Sequence, residues 1–338
     1  RSAIAIPCGP FPQAQPIIET ITGLVAGKEG GTLLQIGADG VVKMGATADA
    51  ATLDLVALST KVATELGKLV TDINNLKTVF STWVPVAQDG GDITFRGSSG
   101  TAGNDSAGVL IAPGAALSTT AGNITLTGIV PVDTNSGSTV RGVRVGIGST
   151  SPSASIVTGA GSITINGDDS ANGYAARQGV VFENATVTSA SGPISITGKP
   201  STNASTWGVY FATAANNITS TSGSITITDP SLGNTQSYFD RLNMSTGGAM
   251  SVLADKVAWS NSNISGTGTF SWLSYGGSFG QTHVFPNSST TLATTLTGLT
   301  VGRSTSYYGL SNGRAIDVNG PITYRAGVTQ LDYSVTGN

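Results

Sequence analysis

The sequence predicts a mostly β protein whose larger part is a right-handed parallel β-helix, preceded by a β-hairpin and one long heptad-patterned α-helix. Three observations support this prediction: a composition poor in charge, a recurring phrase led by glycine, and a helical hydrophobic period before residue 85. The chain has 338 residues, of which 16 are Lys or Arg and 19 are Asp or Glu. Charged residues make up 10% of the chain, against roughly 25% in an ordinary domain. Gly, Ser and Thr take their place.

The composition argues against several classes of function. A formal net charge of −3 is not typical of a nucleic-acid-binding protein, which needs clustered Lys and Arg to displace counterions. One cysteine, Cys8, and one histidine, His283, leave little from which to build a disulfide framework, a zinc centre or a Ser-His-Asp triad. We therefore expect no metal site, no cofactor and no nucleic-acid partner. No apolar run approaches 18 residues, so we also expect no membrane span.

The charge divides the chain near residue 85. Five of the seven lysines lie in residues 1–85, and Glu183 is the only glutamate beyond them. Pro85 and the run Gln88-Asp89-Gly90-Gly91 supply residues that interrupt regular structure. The sequence therefore predicts three segments: a proline-rich arm with a β-hairpin (1–48), an oligomerising helix (49–84) and a β-helix repeat domain (85–338).

The hairpin is predicted from two short alternating runs. Leu34 and Ile36 alternate with polar or small residues, as do Val42 and Met44. Ala38-Asp39-Gly40 lies between the runs, and Asp-Gly is a strong signal for a tight turn.

A stripe of apolar residues at helical spacing follows from Asp49. At spacings of 3, 4, 4, 3, 4, 3 and 4 residues, its members are Leu55, Leu58, Val62, Leu66, Leu69, Ile73, Leu76 and Phe80. This is the pattern of a coiled-coil seam. A single helix has to bury such a seam, either against the β body of its own chain or against other copies of the helix. The regular spacing favours self-association into a homo-oligomer.

One phrase recurs after Gly90 and is the strongest signal in the sequence. Its copies are Gly91-Asp92-Ile93-Thr94-Phe95, Gly122-Asn123-Ile124-Thr125-Leu126, Gly161-Ser162-Ile163-Thr164-Ile165, Gly192-Pro193-Ile194-Ser195-Ile196 and Gly223-Ser224-Ile225-Thr226-Ile227. Their first isoleucines are separated by 31, 39, 31 and 31 residues. A short strand that begins with Gly-Val precedes four of the copies. A third short strand lies between this Gly-Val strand and the glycine-led phrase. Three short strands in a period of about 31 residues predict a solenoid.

Stacking explains why such a repeat folds. Each strand alternates apolar residues with Thr or Ser, so its apolar side chains share one side. One coil cannot bury that side alone, but coils stacked about 4.8 Å apart align the isoleucines in columns. Three strands in a coil give the triangular, right-handed parallel β-helix. Residues 86–338 would supply about eight coils and a rod of about 40 Å at this spacing.

The two ends of the sequence lead to separate predictions about a targeting segment and about a cap on the β-helix. The chain opens at Arg1 without a charged and then apolar leader, so we expect that a targeting segment is absent or already removed. It stops at Val335-Thr336-Gly337-Asn338 without a polar cap. Because an uncapped β-helix exposes unpaired strand groups, we expect either a fragment or an end covered by another chain.

Residues 91–338 resemble the filamentous haemagglutinin-like repeat exoproteins and adhesins of bacteria. The resemblance rests on the glycine-led Ile-Thr-[Ile/Leu]-Thr-Gly phrase, on the Gly-Val strand before it, and on Gly298-Leu299-Thr300-Val301-Gly302. It implies a non-enzymatic structural or adhesive rod of an extracellular or cell-surface protein. The Asn-Pro-Asn motifs of that family's secretion domain have no counterpart in this sequence.

Residues 17–90 resemble a different family, the contractile-phage baseplate and tail-spike proteins. This resemblance rests on residues 34–46, Leu-Gln-Ile-Gly-Ala-Asp-Gly-Val-Val-Lys-Met-Gly-Ala, and on the helix that follows. It implies a trimer around a central axis. The alternative function is therefore a trimeric virion component that binds a host surface, and in both interpretations a host-surface glycan or protein is the expected partner.

Residues that could carry chemistry are few in the repeat domain. Asp168-Asp169 is its only adjacent acidic pair, which we interpret as a solvated corner loop rather than a catalytic or calcium site. His283 is interpreted as structural. Five aromatic residues could form a carbohydrate-stacking surface, although core packing is the default: Trp207, Trp259, Trp272, Tyr307 and Tyr308. The sequence thus predicts no catalytic, cofactor-binding or metal-binding residues and no enzymatic activity, with a β-helical polysaccharide enzyme as the weakest hypothesis.

Overall fold

The computed structural model describes residues 23–27, 32–37, 42–46, 62–74, 86–87, 91–99, 106–131, 139–148, 152–171, 178–201, 206–231 and 236–337. The chain divides into two compact units, Arg1–Trp83 and Val84–Asn338. Several sequence predictions lie outside the described residues: the proline-rich arm, the Ala38-Asp39-Gly40 turn, and the seam residues Leu55, Leu58, Leu76 and Phe80. The division of the first unit at residue 48 stays a prediction.

The first unit contains a three-stranded antiparallel sheet and a helix. Its strands are β1 (Gly23–Gly27), β2 (Thr32–Gly37) and β3 (Val42–Ala46), and the helix α1 spans residues 62–74. β2 and β3 contain the two runs of the predicted hairpin, and they pair antiparallel from Thr32 opposite Ala46 to Ile36 opposite Val42. β1 pairs with the other edge of β2. β1 was not predicted, because glycine begins and ends this short run and weakens its strand signal.

The second unit consists of short parallel strands that repeat in a cycle of three. In chain order they are β4 (Val86–Ala87), β5 (Ile93–Ser98), β6 (Ser106–Ile111), β7 (Ala116–Thr119), β8 (Ile124–Ile129), β9 (Val140–Val145), β10 (Ala154–Thr158), β11 (Ile163–Asp168), β12 (Gln178–Glu183), β13 (Ala185–Ser189), β14 (Ile194–Lys199), β15 (Trp207–Ala212), β16 (Asn216–Ser220), β17 (Ile225–Thr228), β18 (Gln236–Asp240), β19 (Leu242–Thr246), β20 (Met250–Leu253), β21 (Val257–Ser260), β22 (Asn263–Gly266), β23 (Thr269–Leu273), β24 (His283–Val284), β25 (Thr291–Leu292), β26 (Gly298–Gly302), β27 (Gly309–Asn312), β28 (Ile316–Val318), β29 (Ile322–Arg325), β30 (Val328–Leu331) and β31 (Val335–Gly337). Each parallel pairing joins a strand to the third strand after it. This is the topology of a solenoid with three strands in each turn.

Three sheets form the faces of this solenoid. Face 1 contains β4, β7, β10, β13, β16, β19, β22 and β25; face 2 contains β5, β8, β11, β14, β17, β20, β23, β26 and β29; face 3 contains β6, β9, β12, β15, β18 and β21. Two smaller sheets, β24-β27-β30 and β28-β31, contain strands from residue 283 onwards. The prediction of a mostly β chain with stacked parallel strands is confirmed.

The recurring glycine-led phrase forms face 2 in register. Ile93, Ile124, Ile163, Ile194 and Ile225 lie opposite one another on successive strands. The column continues through Met250, Phe270, Leu299 and Ile322. Successive members are 31, 39, 31 and 31 residues apart as far as Ile225, and then 25, 20, 29 and 23 residues apart. The 20-residue coil is short because both its connections and its strands are shorter. Three residues connect β20 to β21, whereas seven connect β14 to β15, and β20 and β21 have four residues each, whereas β14 and β15 have six.

The interior of the second unit is built from apolar columns. Ile165, Ile196 and Ile227 are at most 1% exposed and form a second column of face 2. Face 3 contributes a column of aromatic rings at centroid distances of 4.7, 5.3 and 4.9 Å, which consists of Phe182, Phe211, Phe239 and Trp259. Burial of these side chains is the main stabilising contribution to the stack.

Glycine makes the corner between faces 2 and 3 possible. A Cβ atom on Gly167 would overlap the carbonyl oxygen of Gly179. The same overlap would occur for the equivalent pairs Gly97 with Gly108, Gly128 with Gly142, and Gly198 with Gly208. The glycine that ends the face 2 phrase and the glycine that begins the Gly-Val strand are therefore required because the two backbones touch.

Buried hydroxyl groups close the corner between faces 1 and 2. Thr158 Oγ1 donates to the carbonyl oxygen of Gly122 at 3.0 Å and accepts from the backbone nitrogen of Gly161 at 3.2 Å. Equivalent residues that hydrogen-bond to a glycine carbonyl of the preceding coil are Thr119, Ser189, Ser220 and Thr246. The sequence analysis placed Ser and Thr on the outside. This column is buried instead because one hydroxyl satisfies two backbone groups.

Candidate ligand-binding face

The outer surface of face 3 differs chemically from the other two faces. Faces 1 and 2 present mainly Thr, Ser and Asn between their buried positions. At the outward positions of its strands, face 3 has two columns that contain charged, amide and aromatic side chains, of which the charged residues are buried and the aromatic residues are half-buried. One is Leu110, Arg144, Val181, Tyr210, Tyr238 and Ala258, and the other includes Arg141, Gln178, Trp207 and Gln236. Face 3 is therefore the strongest candidate for specific recognition.

Three half-buried aromatic residues form a cluster on this face. The ring centroids of Trp207 and Tyr210 are 5.0 Å apart, and those of Tyr210 and Tyr238 are 5.3 Å apart with an interplanar angle of 22°. The next residue of the column is Ala258, which has only a methyl group to cover the far side of the Tyr238 ring. The row of aromatic rings thus ends at Tyr238, where the next side chain of the column is much smaller.

Polar groups lie beside the Tyr238–Ala258 pair. Asp240 follows Tyr238 by two residues and lies opposite Ser260 in the register of β18 and β21. Asn261 Nδ2 donates to Asp240 Oδ1 at 2.9 Å and to Ser260 Oγ at 3.0 Å. We call the group of Tyr238, Ala258, Asp240, Ser260 and Asn261 the Tyr238 ledge. It combines an aromatic surface with hydrogen-bonding groups beside it.

Two carboxylates of face 3 are paired with arginines. Arg144 Nε donates to Glu183 Oε2 at 2.8 Å, and the two residues are 5% and 7% exposed. Arg241 Nε lies 3.7 Å from Asp240 Oδ2. Each of these carboxylates therefore has a cationic neighbour, and the buried Arg141 is a further cation close enough to act on Tyr210.

The phenol of Tyr210 stays protonated over a wide pH range. Its partial burial raises its pKa above the ordinary value, and the nearby Tyr238, Glu183 and Asp240 raise the pKa further. At neutral pH the hydroxyl is therefore available as a hydrogen-bond donor as well as an acceptor.

The five aromatic residues singled out from the sequence do not form one surface. Trp259 and Trp272 are only 6% and 0% exposed and pack in the core, so the surface hypothesis is wrong for both. Trp207 begins β15, whereas Tyr307 and Tyr308 lie between β26 and β27.

Tyr210 and Tyr238, which complete the aromatic cluster with Trp207, were not singled out from the sequence. Tyr210 occupies the third position of Gly208-Val209-Tyr210-Phe211, between two buried residues. The alternation of that strand was the available signal, because Val209 and Phe211 point inwards and the residue between them points outwards.

The acidic pair at the end of β11 is divided between two environments. The side chain of Asp168 is 38% exposed and pairs with Lys199 Nζ at 3.2 Å, while Asp169 is fully buried. Partial burial would raise the pKa of Asp168, but hydrogen bonds from Ser170 and Lys199 outweigh it and hold the pKa below its ordinary value. In the part of the chain that the structure describes, no group of three or more His, Cys, Asp or Glu residues could hold a metal ion.

His283 lies in the core. It is 5% exposed, and its ring contacts Trp272 and Phe279 at centroid distances of 4.8 and 5.2 Å. Its Nε2 atom lies 3.3 Å from the carbonyl oxygen of Asp255. Burial lowers the pKa of His283 to about 4, so the ring is neutral at physiological pH.

The helix of the first unit carries an exposed apolar stripe. Val62, Leu66, Leu69 and Ile73 are each 51–54% exposed and follow the 4, 3, 4 spacing of a coiled-coil seam. Glu65 and Lys68 form an exposed ion pair at 2.8 Å beside it. Self-association through this seam stays a prediction.

A concave site lies at one edge of face 1. It is a cleft of about 340 Å³ lined by hydroxyl-bearing residues and glycines, among them Thr188, Thr219, Thr221, Thr246 and Thr267. Its lining contains no charged or aromatic residue among the described part of the chain. It therefore offers less chemistry for recognition than face 3 does.

The comparisons with known proteins give no relative. No protein-family model matches the chain, and neither a curated protein nor a solved structure matches it. In the residues that the structure describes, no helix is long and apolar enough to cross a membrane.

Proposed function

We propose that this protein is a non-enzymatic, adhesive β-helical rod of a bacterial extracellular surface protein. The observation that carries the proposal is the difference between face 3 and the other two faces. Three half-buried aromatic side chains are concentrated on one side of a stack whose remaining sides are lined mainly with Thr, Ser and Asn. A right-handed parallel β-helix would hold these side chains in rows about 4.8 Å apart, as suits the binding of an extended ligand.

The paired charges favour binding over hydrolysis. Glycoside hydrolysis requires two carboxyl groups on opposite sides of a glycosidic bond, one of them free to act as a nucleophile or base. On face 3, Glu183 is held by Arg144 in a buried ion pair, and Asp240 is engaged by Asn261 and Arg241. Neither carboxylate is placed as half of an acid–base pair.

A second candidate function is a trimeric phage tail-spike or baseplate component, and the exposed seam of α1 favours it. Four apolar side chains that are more than half exposed are stabilised when other copies of the helix cover them. In the heptad, Glu65 and Asp72 immediately precede Leu66 and Ile73, at the flanking positions where charge sets partner orientation. Three copies of the chain would then present three copies of face 3 to a host surface.

Sedimentation of the full chain separates the two candidates. The phage candidate predicts a stable trimer that Leu69→Lys converts to monomers, while Thr71→Lys, on the polar side of the same helix, leaves the trimer intact. A wild-type chain that sediments as a monomer contradicts that candidate.

Binding to an array of glycans and extracellular-matrix proteins, with a parallel assay for released reducing ends, tests adhesion. Binding without release is the expected result. Release of reducing ends from a bacterial polysaccharide would contradict the non-enzymatic proposal, and binding to nothing on the array would contradict the adhesive one.

A further inference from the structure

We infer that the Tyr238 ledge is a binding subsite for an uncharged glycan whose β-linked pyranose rings carry equatorial substituents. The inference rests on the proposed adhesive function and names the class of ligand. It is carried by the aromatic column of face 3, the alanine at its end, and the charge balance around it.

The aromatic column leaves one ring side available. Tyr210 packs against one side of Tyr238, with centroids 5.3 Å apart and planes inclined by 22°. On the other side, the register places Ala258 opposite Tyr238. Because neighbouring strands lie about 4.8 Å apart, a methyl group at this position leaves space beside the ring for a flat apolar group. Tyr238 and Ala258 are both only half-buried, so this space opens to solvent.

A pyranose with equatorial substituents fits this space. Its hydroxyl groups radiate from the rim of the ring, and its axial C–H groups form an apolar patch on each side. Such a patch packs against an aromatic ring while the hydroxyl groups remain in reach of polar partners. Axial hydroxyl groups would instead be pressed against the Tyr238 ring and lose their hydrogen bonds.

The polar partners lie on the side of the ledge where the sugar rim would come. Asp240 and Ser260 are opposite each other beside the Tyr238–Ala258 pair. Asn261 is exposed and bridges these two residues by hydrogen bonds of 2.9 and 3.0 Å. Together they offer a carboxylate, a hydroxyl and an amide, which can both donate to and accept from sugar hydroxyl groups.

The charge balance selects against an anionic glycan. Among the cations near the cluster, Arg144 is engaged by Glu183 and Arg241 by Asp240, and Arg141 is buried. The side chain of Asp240 is 14% exposed and lies 3.7 Å from Arg241 Nε, so this pair offers no unpaired positive charge to a uronate or a sulfate group. An uncharged ligand needs no such cation.

The test is a titration of the full chain with cellohexaose and chitohexaose, with a heparin hexasaccharide as the anionic comparison. We expect both uncharged probes to bind and the anionic probe to bind at least about tenfold more weakly. Tyr238→Ala should raise the Kd for the uncharged probes about tenfold. Ala258→Leu should do the same while leaving the ring in place, because the larger side chain fills the space beside it. Tyr307→Ala is the matched control, since this tyrosine is 86% exposed and lies outside face 3.

Each contrary result overturns the inference in a different way. Binding that survives both Tyr238→Ala and Ala258→Leu places the site elsewhere, and tighter binding of the heparin probe than of the uncharged probes gives the wrong ligand class. Unchanged circular dichroism spectra and melting temperatures of the variants distinguish loss of the site from loss of the fold. If neither uncharged hexasaccharide binds but the chain still binds other members of the array, the ledge inference fails while the adhesive function stands.

Discussion

Shortening one core residue of a face 2 column gives a quantitative test of the stacked fold. Ile196 is fully buried and lies between Ile165 and Ile227 on the neighbouring strands. Ile196→Ala removes three carbon atoms, which at about 0.8 kcal/mol each gives a transfer cost of about 2.4 kcal/mol. The cavity left behind adds to this cost, because neighbouring coils hydrogen-bonded above and below cannot collapse into it. The expected loss in the free energy of unfolding is therefore about 3 kcal/mol, within the range of about 2–5 kcal/mol seen for such substitutions.

Urea unfolding followed by far-ultraviolet circular dichroism measures this loss. The same substitution at Ile165 or Ile227 should cost a similar amount, because each position repeats the surroundings of the next coil. Ser195→Ala, at the outward position of the same strand, should change the free energy of unfolding by no more than about 0.5 kcal/mol. A cost below about 1 kcal/mol for Ile196→Ala would refute the assignment of inward and outward positions. A cost for Ser195→Ala that exceeds the cost for Ile196→Ala would refute it as well.

Three further predictions concern glycine and histidine. Gly167→Ala should destabilise the chain by about 3 kcal/mol or more in the same urea assay, because the added Cβ atom overlaps the backbone of Gly179. Wild-type stability of this variant would show that the corner opens without cost. Gly67→Ala should stabilise α1 by about 0.5–1 kcal/mol, since nothing lies within 4 Å of the added atom. A lower helix signal on thermal melting would contradict this prediction. Between pH 6.5 and 4 the unfolded chain binds a proton at His283 that the folded chain does not, because the folded pKa is about 4. The free energy of unfolding should therefore fall by up to about 3 kcal/mol as the pH is lowered through this window; His283→Phe should remove that part of the slope, whereas an unchanged slope would contradict the buried, neutral assignment. Burial raises the pKa values of Asp229 and Asp255, so these two groups change the free energy of unfolding in the opposite direction as the pH falls. Both groups are present in wild type and in His283→Phe, so the difference between the two slopes reports His283.

The regular part of the fold was predictable because its signal repeats. The glycine-led phrase has the same alternation in every copy, and its isoleucines form one column in the structure. The sequence also signalled α1, whose apolar residues recur at helical spacing, and the residues of the paired strands β2 and β3.

The corners were not predictable from the alternation of strands. Thr158 looks like any other outward threonine in the sequence, yet it is 1% exposed because its hydroxyl joins two glycines of neighbouring coils. Such a role depends on which chain segments meet at the corner, and this is fixed only when the coils stack. The shorter coils after Ile225 depend in the same way on connections that carry no repeating phrase.

The candidate site was predictable only in part. Trp207 stood out by residue type, but so did Trp259, which belongs to the core. The decisive neighbours, Tyr210 and Tyr238, come from different coils, and the alanine beside them carries no signal of its own. Their meeting is a consequence of register, including the irregularity between Trp207 and Tyr210, which the repeat spacing does not specify.

A crystal structure of the full chain with cellohexaose bound locates the ligand directly. The proposed adhesive role and its ligand class predict a pyranose ring packed against Tyr238 and above Ala258, with its rim hydroxyl groups hydrogen-bonded to Asp240 or Asn261. A sugar in the threonine-lined cleft of face 1, against Thr219 and Thr246, would contradict the assignment of face 3 as the binding face.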